Sequence, residues 1–164
     1  MSVTVYPDKQ FINNLKTPLT DSEKSVADQL ASILEKIEGR EFVLHQQVNL
    51  NGNKPDILII ERPTDDSLGG IWIVEVKDWT LKNYITDDAK YWKFKKNNHE
   101  ITSPDFQVDK YKKDFFYTFF LEFTFEYFKN KSISNLIKTA VYFYGSNPSI
   151  IQNKFLRMQK TKFS

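Results

Sequence analysis

The chain has 164 residues, a formal net charge of +2 and 27% charged residues, which suits one soluble domain with its own core. It contains no cysteine and only two histidines, so thiolate metal sites are excluded and a histidine-rich zinc site is disfavoured. Any bound metal must therefore be held mainly by oxygen, which favours magnesium or manganese. No signal-peptide core or membrane-spanning apolar run is visible, which predicts a cytoplasmic protein without membrane contact.

Charge is distributed unevenly along the chain. Residues 90–113 carry seven lysines against three acidic residues, and residues 129–164 carry seven basic residues and no acidic one. The remainder of the chain is therefore strongly acidic. Basic segments beside an acidic remainder are typical of a polyanion groove next to a carboxylate cluster, although many lysine-rich faces are only solvated.

The chain opens with residues 1–19, which we predict to be an extended or irregular N-terminal arm. A helix is expected to begin near Thr20, because Thr20 and Glu23 fit a capping box. Glu23 shares the buried face of this helix, where it either closes the cap, the simpler role, or serves a site. Gly39 is expected to stop the helix. Apolar spacings of three and four predict its buried face, formed by Val26, Leu30, Ile33, Leu34 and Ile37.

Three strand segments follow, separated by short turns. Residues 42–50 and 55–60 have strand composition and flank a strong turn signal at residues 51–53. Residues 71–79 begin as a run of β-branched and aromatic residues, which is typical of a strand packed on both faces. Consecutive strands with short connections predict an antiparallel meander.

Beyond the meander, residues 90–101 are expected to form a small basic β-hairpin of low burial. A second helix should begin at Pro104, with Ser103 as its cap, and run at least through Phe116. Residues 119–127 fit either a helix or an alternating strand, and we favour the helix.

The last predicted strand, residues 139–144, is followed by a basic segment, residues 146–164, which is either a tail or the start of a further region. The folded domain is accordingly predicted to span residues 20–145. Its order of helix, three-strand meander, helix and strand, with the added hairpin, predicts an α/β fold. The phenylalanine-rich residues 115–128 are predicted to be core or, if exposed, an interface with a partner.

The third strand contains an acid and a base separated by one residue. Because side chains alternate along a strand, Glu75 and Lys77 point to one side while Val76 points to the other. Burying both charges among apolar neighbours is costly unless each has a partner. An ordinary ion pair within the strand would meet that need. A metal ion at the carboxylate, with a substrate phosphate near the lysine, would meet it too.

Asp56 stands at the start of the second strand, where an aspartate commonly serves only a turn. Adjacent strands lie about 5 Å apart, so Asp56 and Glu75 meet if the register places them opposite each other. Two converging carboxylates repel one another unless a divalent cation bridges them. The pair is therefore a candidate metal site.

These residues resemble a known group of enzymes. Pro55 and Asp56, followed by the sequence E-V-K from Glu75, resemble the PD-(D/E)XK nuclease superfamily. The predicted element order resembles its restriction-endonuclease-like core. The resemblance covers residues 21–145, which is most of the chain.

More narrowly, the chain resembles the nuclease-related domain (NERD). The resemblance rests on the sequence E-V-K-D-W that ends at Trp79, the hairpin after it, and the helix start S-P-x-x-Q that ends at Gln107 and is followed by Tyr111. Thr80 stands where a glycine often follows the tryptophan, and Lys54 precedes the Pro-Asp pair in place of an acidic or polar residue. Neither departure removes a catalytic group.

The resemblance implies a metal site of defined composition. Asp56 and Glu75 would hold a magnesium ion, or manganese, and the main-chain carbonyl of Val76 would be a further ligand. Glu23 would be an auxiliary member of this catalytic set.

The resemblance also implies how substrate is bound. Lys77 would orient the attacking water and stabilise charge on the scissile phosphate. Gln107 would approach from the second helix and contact Lys77 or a phosphate. The basic residues expected to bind nucleic acid are Lys90, Lys93, Lys95, Lys96 and Lys110.

The leading hypothesis is a magnesium-dependent endonuclease that acts on DNA as a module of a larger repair or phage-defence assembly. The resemblance suggests a helicase or other ATPase partner, and because the chain has no Walker loop that motor would lie elsewhere. The alternative is a catalytically idle nucleic-acid-binding or docking module of the same fold. A third hypothesis is a structural domain that pairs with itself as a homo-oligomer.

Overall fold

The structure is a computed structural model that describes residues 2–8, 18–86, 88–119 and 135–147. These residues form a mixed α/β fold with a five-stranded sheet, a three-stranded sheet and two α-helices. No described helix is long and apolar enough to cross a membrane. The expected continuation of the second helix beyond Phe119 lies outside the described residues, as does most of the basic C-terminal segment.

The described elements follow one another with short connections. In chain order they are β1 (Ser2–Tyr6), α1 (Asp21–Leu34), β2 (Glu41–Gln46), β3 (Ile57–Glu61), β4 (Gly70–Lys77), a 3₁₀ helix (Leu81–Asn83), β5 (Tyr84–Ile85), β6 (Tyr91–Phe94), β7 (Glu100–Thr102), α2 (Pro104–Phe119) and β8 (Ile137–Phe143). The predicted order of helix, meander, helix and strand is present.

The larger sheet has the strand order β1-β2-β3-β4-β8. The central strands β2, β3 and β4 form the predicted antiparallel meander, and β8 lies parallel to β4. The prediction of a separate arm at residues 1–19 was incomplete, because β1 pairs in parallel with β2 as an edge strand. Val3 and Val5 pack against the core, which explains why this segment joins the sheet.

The strands are where the sequence predicts them, but their ends differ. β2 stops at Gln46, earlier than the predicted end at residue 50, because Gln47 adopts a positive φ of 53° that a strand cannot continue through. β4 ends at Lys77, so Trp79 lies just beyond it. β8 begins at Ile137, two residues before the predicted start.

Helix α1 is shorter than predicted. It ends at Leu34 and not at Gly39, because backbone bonds from residue 36 to 33 and from residue 37 to 34 tighten the chain into turns. Ile33 and Ile37 are consequently 56% and 41% exposed, so their prediction as buried residues was wrong. An apolar cavity of about 610 Å³, lined partly by these two residues, separates the end of α1 from the sheet.

The sheet separates two apolar cores. The core on the α1 side consists of Val26, Ala27, Phe42, Leu44, Ile57, Ile59, Val74 and Val76. The core on the α2 side consists of Leu50, Leu58, Ile73, Val108, Tyr111, Phe115, Phe116 and Ile137. Because side chains alternate along β4, Glu75 and Lys77 share the side of Ile73 and face α2.

The smaller sheet contains the predicted hairpin, β6 and β7, with β5 as a third antiparallel strand. The expectation of low burial was wrong for its centre. Trp92 is 1% exposed and stacks on Phe143 of β8, with ring centroids 6.1 Å apart. The small sheet is thereby packed against the end of β8, next to the end of β4.

The N-terminus of α1 provides a test of the fold. Thr20 Oγ1 accepts a hydrogen bond from the Glu23 N–H at 3.2 Å, and Glu23 Oε2 accepts one from the Thr20 N–H at 2.8 Å. We expect Thr20→Ala to lower the free energy of unfolding by about 1 kcal/mol in chemical denaturation. Thr118→Ala, at an exposed helical threonine, should change it by less than about 0.5 kcal/mol. Equal effects would show that the cap does not stabilise α1.

Candidate active site

The pairing of β3 with β4 brings the two candidate carboxylates together. Ile57 pairs with Val74 at the end of the ladder, and Asp56 lies one residue further, alongside Glu75. Oδ2 of Asp56 accepts a hydrogen bond from the main-chain N–H of Val76 at 2.7 Å. The register that a shared metal requires is therefore present.

Glu75 is the most deeply buried charged group of the site. It is 3% exposed, and its Oε1 accepts a hydrogen bond from Lys77 Nζ at 2.5 Å. Its second oxygen, Oε2, is buried and accepts no hydrogen bond of good geometry from the described residues, although Asp56 and Tyr111 both lie within hydrogen-bonding reach of this carboxylate. A buried carboxylate needs such neighbours, because burial without them costs free energy. Beyond its ion pair with Lys77, the polar neighbours of Glu75 are therefore Asp56 and Tyr111.

Burial changes the protonation of both acids. Burial, with a further contribution from Glu75, raises the pKa of Asp56 to about 8. Burial also raises the pKa of Glu75, while the ammonium of Lys77 opposes the rise. The two groups titrate as a pair, and because the pKa of Asp56 is raised to about 8, the pair still holds a proton at neutral pH.

Glu23 lies near this pair but outside it. Its charge raises the pKa of both Asp56 and Glu75, which shows electrostatic proximity. Its carboxylate accepts the Thr20 N–H and closes the capping box. Among the described residues, no three histidine or acidic side chains are grouped closely enough to hold a metal ion. The cap is thus the described contact of Glu23, and its auxiliary role in the catalytic set stays a prediction.

Helix α2 places two further polar side chains on the same side of the sheet. Its start is fixed by Ser103, whose Oγ accepts a hydrogen bond from the Phe106 N–H at 3.2 Å. Gln107 Nε2 donates to the hydroxyl of Tyr111, one turn further along the helix. The described partner of Gln107 is thus Tyr111 and not Lys77.

Tyr111 had no assigned role in the sequence pattern. It is 5% exposed, and burial together with the charge of Glu75 raises the pKa of its hydroxyl. It therefore remains a neutral phenol close to the carboxylate pair. The sequence resemblance includes Tyr111 without a role, and its spacing of four residues from Gln107 places both on one helix face.

An aromatic wall lies beside Lys77. Its Nζ is 5.0 Å from the ring centroid of Trp79, a cation–π distance. Trp79 stacks on Tyr84 at 5.0 Å and meets Trp92 edge-on at 6.3 Å. The ammonium of Lys77 is thus held between a carboxylate and a fixed indole ring.

The lysines of the small sheet are partly engaged within the protein. Lys93 Nζ lies 3.2 Å from Glu100, and Lys95 Nζ donates to the main-chain oxygen of Lys82 at 2.7 Å. Lys96 is exposed in the turn after β6. Of the three expected nucleic-acid ligands on this hairpin, Lys96 is therefore the most freely presented.

The other two expected lysines lie around the start of α2. Lys110 Nζ donates to Asn53 Oδ1 at 3.2 Å. Lys90 Nζ lies 5.0 Å from the ring centroid of Tyr91 and 5.1 Å from that of Phe106. These contacts hold the lysines at the surface, where they remain able to meet a phosphate.

The donor set fits a hard divalent cation. Its side-chain donors are carboxylate oxygens, and once Asp56 is ionised the two negative charges exceed what Lys77 alone neutralises. Magnesium typically takes one or two carboxylates and keeps several waters, which matches a pair better than a closed protein cage.

In a comparison with protein-family models, residues 20–144 match the nuclease-related domain. The matched range includes Asp56, Glu75, Lys77 and Gln107. Comparison with curated proteins and with solved structures gives no match.

The carboxylate pair predicts an unusual dependence of stability on pH. Because the pKa of Asp56 is raised, the folded state binds a proton that the unfolded state lacks between about pH 4 and pH 8. Stability contributed by this group should therefore fall as pH rises through that window. In chelator at pH 8, Asp56→Asn should raise the free energy of unfolding by on the order of 2 kcal/mol, with little effect near pH 4.

The matched control is Asp66→Asn, in the exposed turn between β3 and β4. Thermal and urea unfolding of both variants over this pH range measure the difference. A stabilisation by Asp56→Asn that does not grow with pH would contradict the proposed charge state.

Proposed function

We propose that this protein is a metal-dependent endonuclease that hydrolyses phosphodiester bonds in DNA. The chain belongs to the nuclease-related domain family, which is part of the PD-(D/E)XK-like nuclease superfamily. Family membership supports a nuclease-related function. The observation that carries the metal-dependent mechanism is the convergence of two carboxyls, because the register of β3 and β4 places Asp56 alongside the buried Glu75.

The carboxylate pair is the proposed metal site. Asp56 and Glu75, with the main-chain carbonyl of Val76, would hold magnesium or manganese. Ligands must be deprotonated, so binding would release the proton that Asp56 holds at neutral pH. The bound ion would supply Lewis-acid stabilisation of the phosphoryl oxygens.

Lys77 is the proposed phosphate-binding and water-orienting group. Its ammonium is fixed by Glu75 Oε1 at 2.5 Å and by the ring of Trp79, so little reorganisation is needed when substrate arrives. An ammonium at this position can donate to a non-bridging oxygen of the scissile phosphate and to the attacking water. It would thereby stabilise the negative charge that grows in the transition state.

Tyr111 and Gln107 are proposed to orient the acidic pair from the α2 side. The neutral hydroxyl of Tyr111 lies within the field of Glu75, and Gln107 fixes that hydroxyl by its hydrogen bond. These two side chains would keep Glu75 turned toward its partners. They are positioning residues in this proposal.

The restriction-endonuclease-like core is part of the same proposal. It is supported by the antiparallel meander, by β8 parallel to β4, and by helices on the two sides of the sheet. A catalytically idle module of this fold is not favoured, because it gives no role to two acids that are held side by side despite their mutual repulsion. A helicase or ATPase partner, a role in repair or phage defence, self-association and a cytoplasmic location stay predictions.

Catalysis is tested on supercoiled plasmid. We expect cleavage that requires magnesium or manganese, stops in chelator, and falls at least about 100-fold in Glu75→Gln and in Lys77→Met. Lys36→Ala, at an exposed lysine in the turn after α1, is the control and should retain full activity. Cleavage that survives both active-site substitutions would exclude this site.

The basic hairpin is tested by the dependence of DNA affinity on salt. Lys96→Ala should weaken binding similarly for all sequences, and removing one phosphate contact should reduce the slope of log affinity against log salt by about 0.9. Lys36→Ala again serves as the control. An unchanged slope in Lys96→Ala would show that the hairpin turn does not contact the backbone of DNA.

A further inference from the structure

A second, smaller cavity opens where β4 and β8 end side by side. We call this cavity of about 240 Å³ the end pocket; it is lined by Asp78, Trp79, Lys82, Tyr144 and Asn147, among others. It begins immediately after Lys77, the last residue of β4. The N–H of Tyr144 donates to the main-chain oxygen of Lys77 at 2.7 Å, so the pocket adjoins the end of the strand that carries Lys77.

The walls of the end pocket combine rigid and exposed aromatic surface. Trp79 is fixed by its stacking on Tyr84, and its main-chain oxygen accepts a hydrogen bond from Ser146 Oγ at 3.1 Å. Tyr144, in contrast, is 39% exposed. Aromatic surface accompanied by a few polar side chains is the composition of a site for a planar heterocycle.

Charge in the end pocket is mixed. Asp78 offers a carboxylate that can accept hydrogen bonds from exocyclic amines, and Lys82 offers an ammonium that can meet a phosphate or a ring carbonyl. A pocket of this volume suits one ring system better than a larger ligand, since pockets for drug-sized molecules start at about 300 Å³.

The position of the pocket relates it to the scissile phosphate. Lys77 Nζ lies 5.0 Å from the ring centroid of Trp79, which forms part of the pocket wall. Trp79 therefore borders both Lys77 and the end pocket. A strand whose phosphate is held at Lys77 would place a neighbouring nucleotide at the end of β4, where the end pocket opens.

We propose that the end pocket binds one unpaired nucleobase next to the scissile phosphate, with Tyr144 as its stacking partner. This inference rests on the proposed function, because it is the phosphate at Lys77 that delivers the base. A base that is paired and stacked within a duplex cannot enter a pocket of this kind. The substrate class is accordingly single-stranded DNA or DNA with an unpaired nucleotide at the cleavage position.

The test measures base stacking directly and without catalysis. A short single-stranded oligonucleotide with a central 2-aminopurine, a fluorescent base that stacking quenches, is titrated with the full chain in chelator. We expect quenching by the wild-type protein. Tyr144→Ala should lose the quenching and weaken binding at least about fivefold, the lower end of the effect of removing one base-stacking contact.

Two further variants separate stacking from structural damage. Tyr144→Phe keeps the ring and should keep the quenching. Tyr142→Ala removes a tyrosine of similar exposure, 44%, that lies two residues earlier on β8 and lines the apolar cavity by α1, so it should behave as wild type. Quenching and affinity that are unchanged in Tyr144→Ala, or equally reduced in Tyr142→Ala, would overturn the proposal.

Cleavage assays distinguish this inference from the proposed function. If metal-dependent cleavage proceeds equally on paired and unpaired DNA and is unaffected by Tyr144→Ala, the end pocket is not a base site although the nuclease is real. If Tyr144-dependent quenching occurs while Glu75→Gln leaves all cleavage unchanged, the base site stands and the assigned catalytic residues are wrong.

Discussion

The carboxylate of Glu75 is the group around which the rest of the site is arranged. It lies on a strand whose two faces are packed by separate apolar cores, so it cannot turn into solvent. One of its oxygens accepts a hydrogen bond from Lys77, and Asp56 lies alongside it. Burial, and after it the charge of Glu75, raises the pKa of Asp56, so ionising both acids at neutral pH is unfavourable unless a further positive charge joins them.

Such an arrangement opposes folding, and the surrounding structure compensates for it. Two buried acids side by side disfavour the folded state at neutral pH, whereas the layers on both sides of β4 bury aliphatic and aromatic side chains without charge. Strain of this kind is characteristic of functional sites, where the geometry is held by neighbours and not by the site itself. The position of Lys77 is likewise fixed by its neighbours, Glu75 and Trp79.

Local sequence patterns predicted the elements of the fold, because they depend on side-chain periodicity and capping. The capping box at Thr20, the cap at Ser103 and the alternation around Glu75 each depend on neighbouring residues and are present in the structure. Sequence patterns could not decide whether Asp56 lies opposite Glu75, because the register of β3 against β4 is fixed by packing across the whole sheet.

Features that depend on distant contacts could not be predicted in this way. The pairing of β1 with β2 joins segments far apart in sequence, and the early end of α1 reflects turn bonds that leave Ile37 exposed. The burial of Trp92 depends on its contact with Phe143, and the whole of helix α2 separates these two residues in the sequence. Tyr111 became a site residue only when α2 was seen to face Glu75.

Whether Asp56 and Glu75 hold a divalent metal ion is best measured by titrating the protein with Mn²⁺ and monitoring the free-ion electron paramagnetic resonance signal, which needs no substrate. We expect one Mn²⁺ site in the wild-type protein and an affinity at least about tenfold weaker in both Asp56→Asn and Glu75→Gln. Exposed Asp66→Asn should bind as wild type does. Equal Mn²⁺ affinity in all four proteins, or none in the wild type, would contradict the assignment of the buried carboxylate pair as a metal site.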